Sequence, residues 1–109
     1  MTELKPYDEI MNLVDQKIDS LCESYNKEKD LAGRDPQALR DKSTLIGVLT
    51  ETKETFTSIY KTFNTDIEKK CLEAVDEALT PPLDEENADA DEKAYYDGLK
   101  YIRSLILKN

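Results

Sequence analysis

Apolar positions recur at helical spacing along most of this chain. The longest such stretch is 36–79, where Leu45, Leu49, Phe56, Ile59, Phe63, Ile67, Cys71, Ala74 and Ala78 keep one phase. Steps of three and four sustained that far mark one face of a helix, because about 3.6 residues make a turn. The stretch holds no proline after Pro36 and one glycine, Gly47. Ahead of it, Tyr7, Met11, Val14, Ile18, Leu21 and Tyr25 alternate steps of four and three, a heptad seam that Ile10, Leu13 and Cys22 widen. Asp8, Asp15, Lys17, Asp19 and Glu23 occupy the other side. This pattern predicts a helix over about 7–30 with one face to bury. Near the end, Tyr95, Leu99, Ile102 and Ile106, broadened by Tyr96, Tyr101 and Leu105, predict a helix over about 90–107.

The polar residues between these stretches supply the stops and starts. Pro6 suits the first turn of the first helix. Gly33 fits a left-handed helix cap, Asp35 an N-cap and Pro36 the first helical position, so the second helix turns back antiparallel to the first. Thr80-Pro81-Pro82 cannot continue a helix. Asp89 with Glu92 three residues on reads as the N-cap of the last helix, whose final turns carry Lys100, Arg103 and Lys108 to match the helix dipole.

The middle stretch poses the architectural question. Unbroken, it would span roughly 66 Å, about twice the diameter of a small domain. Thr65-Asp66-Ile67-Glu68 has the capping-box form, so a helix could restart there. Asn64-Thr65, however, lacks the glycine or the length of an ordinary reversal, and the apolar phase passes through it unchanged. The expectation is therefore a single domain over 1–109: an all-α antiparallel bundle of three to four helices organised around one long central helix, continuous or kinked. The first and last helices would lie end to end along it. A compact four-helix bundle broken near 64–65 is the rival.

Composition supports an ordered helical protein. The chain has 109 residues, 39% of them hydrophobic and 36% charged, with three glycines and four prolines. Periodic apolar content at that level separates it from disordered chains of similar charge. No signal-peptide core opens the sequence, and its apolar runs are too short to cross a bilayer. Cys22 and Cys71 fall on or beside the apolar faces of different stretches and read as buried small hydrophobes in a reducing cytoplasm.

The net charge of −9 and the absence of histidine narrow the chemistry. Histidine-based triads, zinc sites of the ordinary type and glutamate–histidine di-iron centres are excluded. The glycines are isolated, so no phosphate-cradling loop is present. A basic stripe that could follow a phosphate backbone is also missing.

One acidic pattern bears on catalysis. Glu51-Thr52-Lys53-Glu54, eighteen residues, then Glu73-Ala74-Val75-Asp76 has the form E-x-x-E followed by E-x-x-D. This resembles the metal-binding motif of MazG-like nucleoside triphosphate pyrophosphatases, which are small all-α proteins. The resemblance implies that these carboxylates hold Mg²⁺, a hard cation that takes oxygen ligands. Read as positions on a helix, Glu51, Glu54 and Asp76 instead point well away from the apolar stripe, toward water. The second reading is carried forward: no catalytic residue, metal or cofactor is assigned, and the Mg²⁺-dependent pyrophosphatase is the alternative.

The remaining candidates concern binding. Between 83 and 92 the acids Asp84, Glu85, Glu86, Asp89, Asp91 and Glu92 crowd beside two prolines on a loop over 80–89. Tyr96 and Tyr101 widen the last stripe beyond what one neighbouring helix covers, and tyrosine suits interfaces. Tyr7, Tyr25, Tyr60 and Tyr95 read as core or core-edge. The expectation is a non-enzymatic protein-binding regulator or inhibitor whose acidic loop and tyrosines meet a basic protein surface, including one that otherwise holds nucleic acid. It would touch neither nucleic acid nor membrane directly. A self-assembling helical protein is a further alternative, and a dimer with Phe56, Phe63 or Tyr101 near its contact is expected.

Overall fold

A computed structural model describes residues 3–31, 33, 35–80, 82–84 and 86–108. Among them are four helices: α1 (Tyr7–Glu28), α2 (Pro36–Thr62), α3 (Ile67–Ala78) and α4 (Ala90–Ile106). Their ends follow local chemistry. The Asp35 carboxylate accepts the Gln37 N–H at 3.0 Å with Pro36 behind it, and Asp89 accepts the Glu92 N–H at 2.8 Å. At α1, Pro6 provides no side-chain cap, and the part-buried Tyr7 N–H instead donates to the Glu68 carboxylate on α3 at 3.0 Å. The first helix stops at Glu28, short of the expected end. Gly33 does adopt a left-handed conformation (φ 80°), but within the connection and not as the helix cap.

The central stretch is not one helix. It breaks after Thr62: Phe63 turns extended (φ −115°, ψ 152°) and Asp66 is left-handed (φ 54°, ψ 34°). Aspartate tolerates that region better than most residues, so four residues without glycine suffice for the reversal. The capping box is not used. Asp66 stands at the N-cap without a side-chain bond, and Glu68 caps α1 instead of its own helix. The physical reason for the break is coverage. A helix of roughly 66 Å would project far beyond a body measuring 49 × 32 × 26 Å and leave its last turns without neighbours. Folding back lets Cys71 and Val75 reach the same core as Phe56.

The helices alternate in direction. Lys42 meets Ser24 and Glu28, Lys53 meets Asp15 at 2.5 Å, and Tyr60 stacks on Tyr7, so α1 runs antiparallel along all of α2 and not along half of it. The Tyr96 hydroxyl bonds the Leu79 carbonyl, and Arg103 bonds Asp76 at 2.6 Å, so α4 descends beside the rising α3. Arg40 bonds Asp91 at 2.6 Å, which sets α4 parallel to α2 from its first turn. At the lower end, Leu4 and Leu107 form an isolated antiparallel bridge, flanked by Lys5 N–H to Ile106 O at 2.8 Å and Lys108 N–H to Glu3 O at 2.9 Å.

The α2–α4 contact is the most extensive in the molecule. A Cβ at Gly98 would lie 2.9 Å from Leu45 Cδ1 and 3.3 Å from Val48 Cγ1, so the missing side chain is what lets the two backbones approach. Around this seam Ile10, Val14, Leu49, Phe56, Val75, Leu99, Ile102 and Ile106 form the core. Gly98→Leu should lower stability by about 1–3 kcal/mol through overpacking, measured by urea unfolding. Gly98→Ala should stay within about 1 kcal/mol, because Leu45 can rotate aside and alanine favours helix.

Candidate functional site

The connection from α3 to α4 is built by the acids themselves. Asp84 takes the Glu86 N–H at 3.2 Å and the Asn87 side-chain amide at 2.7 Å, and its carbonyl accepts the Ala88 N–H at 2.9 Å. These bonds favour the charged carboxylate, and the Asn87 amide is the main cause of an Asp84 pKa below its ordinary 3.8. Asp89 then caps α4, and Asp91 pairs with Arg40 across to α2. Three of the acids expected to meet a partner thus also hold the segment in place.

What they hold is a groove of about 580 Å³ between α2, the connection and α4. Pro82, Leu83, Tyr95 and Tyr96 provide its apolar surface, and Asp84, Asp89, Asp91 and Glu92 its carboxylates, with Thr44 at the α2 side. Tyr96 is half-buried, pinned through its hydroxyl to the Leu79 carbonyl, with the Lys100 ammonium 5.2 Å from its ring centroid. Tyr95, expected in the core or at its edge, is 43% exposed. It stands between this groove and a smaller cleft lined by Thr52, Thr55, Phe56 and Val75.

The other candidates separate from this groove. Glu86 is exposed on the connection outside the lining, and Glu85 lies outside the described residues. Tyr101 lines a different cleft of about 420 Å³ with Lys17, Asp41, Leu45 and Lys93, and Lys17 lies 5.1 Å from its ring centroid. Phe56 is fully buried and cannot reach another chain, which corrects the expectation that placed it near a dimer contact. Tyr60, expected at the core edge, is 54% exposed, and Phe63 is 43% exposed beneath Lys70.

The four carboxylates of the acidic pattern do not converge. Glu51, Glu54 and Glu73 are exposed, and Asp76 is bonded to Arg103. Among the described residues, no group of three carboxylate or thiolate side chains is arranged to hold a metal ion. Cys22 and Cys71 are free thiols. Burial, with the nearby Glu68 charge, pushes the Cys71 thiol up to about 12, so it is unreactive near neutrality. No helix among the described residues is long and apolar enough to cross a membrane.

Comparison with family models, with curated proteins and with solved structures finds no match for this chain. The groove must therefore be read from its own chemistry. Its surface is amphipathic and acidic, held by hydrogen bonds and not by a flexible tail. Such a surface suits lysine or arginine side chains, whose aliphatic stems lie on tyrosine rings while their heads meet carboxylates.

Two outcomes follow from the Asp84 turn. A carboxyl whose folded pKa is depressed stabilises most above its unfolded value, and the contribution is lost as pH falls through the folded one. Carboxyl-carbon NMR should show Asp84 titrating below 3.8, with Asn87→Ala moving it back up. Tyr96→Phe should cost about 1 kcal/mol through the lost bond to Leu79, and should speed hydrogen exchange at the Glu86 amide as the connection loosens.

Proposed function

We propose that the chain is a non-enzymatic protein-binding regulator or inhibitor whose acidic, tyrosine-lined groove receives a basic segment of a partner protein. The observation that carries this reading is convergence. Asp84 and Asp89 from the connection and Asp91, Glu92, Tyr95 and Tyr96 from α4 line one groove, closed on its far side by Thr44 of α2. Charge at such a rim acts chiefly on encounter rate and on the choice of partner, and the exposed aromatic area supplies the contact. A basic surface that otherwise holds nucleic acid is the most fitting target, since it must already present a row of cations. The free thiols support a reducing, cytoplasmic setting.

Affinity capture from native lysate with the wild-type chain, set beside Glu92→Gln combined with Tyr95→Ala, tests this. Both substitutions spare the caps and the Asp84 turn. The captured partner should disappear with the double variant, elute as salt rises and be displaced by added nucleic acid. A partner held equally well by the variant and indifferent to salt would overturn the reading.

The pyrophosphatase reading is the alternative; among the described residues Glu51, Glu54, Glu73 and Asp76 form no group arranged to hold a metal ion, and Asp76 is bonded to Arg103. Incubation with Mg²⁺ and nucleoside triphosphates should release no pyrophosphate. Release abolished by Glu54→Gln would promote the enzyme instead.

A second, compatible reading is self-association. Tyr60 and Phe63 are exposed together at the turn between α2 and α3, and two copies meeting there would bury both aromatic rings.

A further inference from the structure

Resting on the self-association reading, we infer that residues 63–66 are a hinge through which two copies of this chain exchange their α3–α4 halves. The observation behind it is a conflict between local and tertiary preference. The apolar phase of α2 continues into α3 without a shift, and the hinge contains neither glycine nor proline. Phe63, Asn64, Thr65 and Asp66 are all exposed, and the one side chain over them is that of Lys70, which lies against the Phe63 ring. Asp66 carries a left-handed backbone that a side chain makes costly, and it forms no capping bond in return. Straightening the hinge removes that strain and restores the helical hydrogen bonds across it.

The geometry of exchange is determined by lengths. In a straightened chain, Ala78 would lie about 24 Å beyond Thr62, whereas the α4 start beside Arg40 lies about 33 Å behind it. The connection to α4 reaches at most about 45 Å, less than the roughly 57 Å needed. The fourth helix therefore leaves with α3, and the exchanged unit is the α3–α4 hairpin. Because α3 is antiparallel to α2 in the closed chain, a partner's straight helix arriving antiparallel offers the same residues to the same core. A two-fold axis at the hinge satisfies both copies at once. Contacts between the α1–α2 and α3–α4 halves are remade between chains while those within each half stay in one chain, and Tyr60 and Phe63 come together at the axis.

Light scattering over a concentration series, paired with cross-linking between differently marked chains, tests this. One chain carries Arg40→Cys and the other Asp91→Cys, both with Cys22→Ser. The two are unfolded, mixed, refolded at high concentration and treated with a short thiol–thiol cross-linker that spans an arginine–aspartate pair. Exchange predicts a dimer and a covalent link between the two kinds of chain. Asp66→Gly, which accepts the left-handed turn and weakens a straight helix, should raise the dimer dissociation constant about tenfold. Asn64→Ala with Thr65→Ala and Asp66→Ala should lower it by a similar factor. A dimer that gives no such link, or that ignores both hinge variants, would overturn exchange while leaving self-association intact. A monomer at every concentration would overturn both.

Discussion

The close approach of α2 and α4 at Gly98 sets the frame for the rest of the molecule. These two helices are parallel and diagonal in an up-down-up-down bundle, where ordinary side chains would keep them apart. With hydrogen at position 98, Leu45 and Val48 press against the α4 backbone, and the bundle closes along one diagonal. The first and third helices are then left to fill the two flanks, each touching both members of the central pair. Val48, Leu49, Thr52 and Phe56 are all buried because α2 is covered from three sides. The same pairing brings the α4 N-terminus to Arg40 and Thr44, which defines one wall of the acidic groove.

The groove illustrates how a loop of like charges becomes a fixed surface. Six acids between 83 and 92 would repel one another in an extended segment. Asp84 folds its own turn, Asp89 spends its charge on a helix N-terminus, and Asp91 reaches Arg40. Each of these three carboxylates gains a hydrogen-bond donor, and at Asp84 those donors favour the ionised form. Tyr96, tethered at Leu79, ties the segment to the end of α3. Binding there would require little reordering of the connection, which leaves more of the contact energy available as affinity.

The base of the molecule is arranged differently. Tyr7 and Tyr60 stack with ring centroids 4.6 Å apart, Glu68 receives the Tyr7 N–H, and the chain ends are joined by the Leu4–Leu107 bridge. The Glu68 bond ties α1 to α3, the tyrosine stack ties α1 to α2, and the bridge ties the N-terminal segment to the end of α4. They lie beside the α2–α3 turn, the segment whose backbone is least favoured by its own sequence. Stability at this end therefore comes from contacts between elements and not from the turn itself.

Much of the fold was legible from local patterns. Four-and-three spacing located the apolar faces, and Asp35-Pro36 and Asp89 marked helix starts, because caps and amphipathic faces depend on residues only a few positions apart. The acids of 83–92 and Tyr96 stood out as binding candidates through composition and spacing, which are local, whereas their place along one groove is set by the packing of α4 beside α2. Tertiary structure alone decided three things. It broke the central helix at 63–66, because the gain from burying Cys71 and Val75 against Phe56 outweighs one left-handed aspartate, and periodicity does not register that gain. It gave Glu68 to Tyr7 in place of its own capping box, since a partner 61 residues away cannot be seen in a four-residue motif. And it moved Tyr95 out of the core and into the groove, because a helical stripe fixes a direction from the axis, while burial depends on which neighbour stands there.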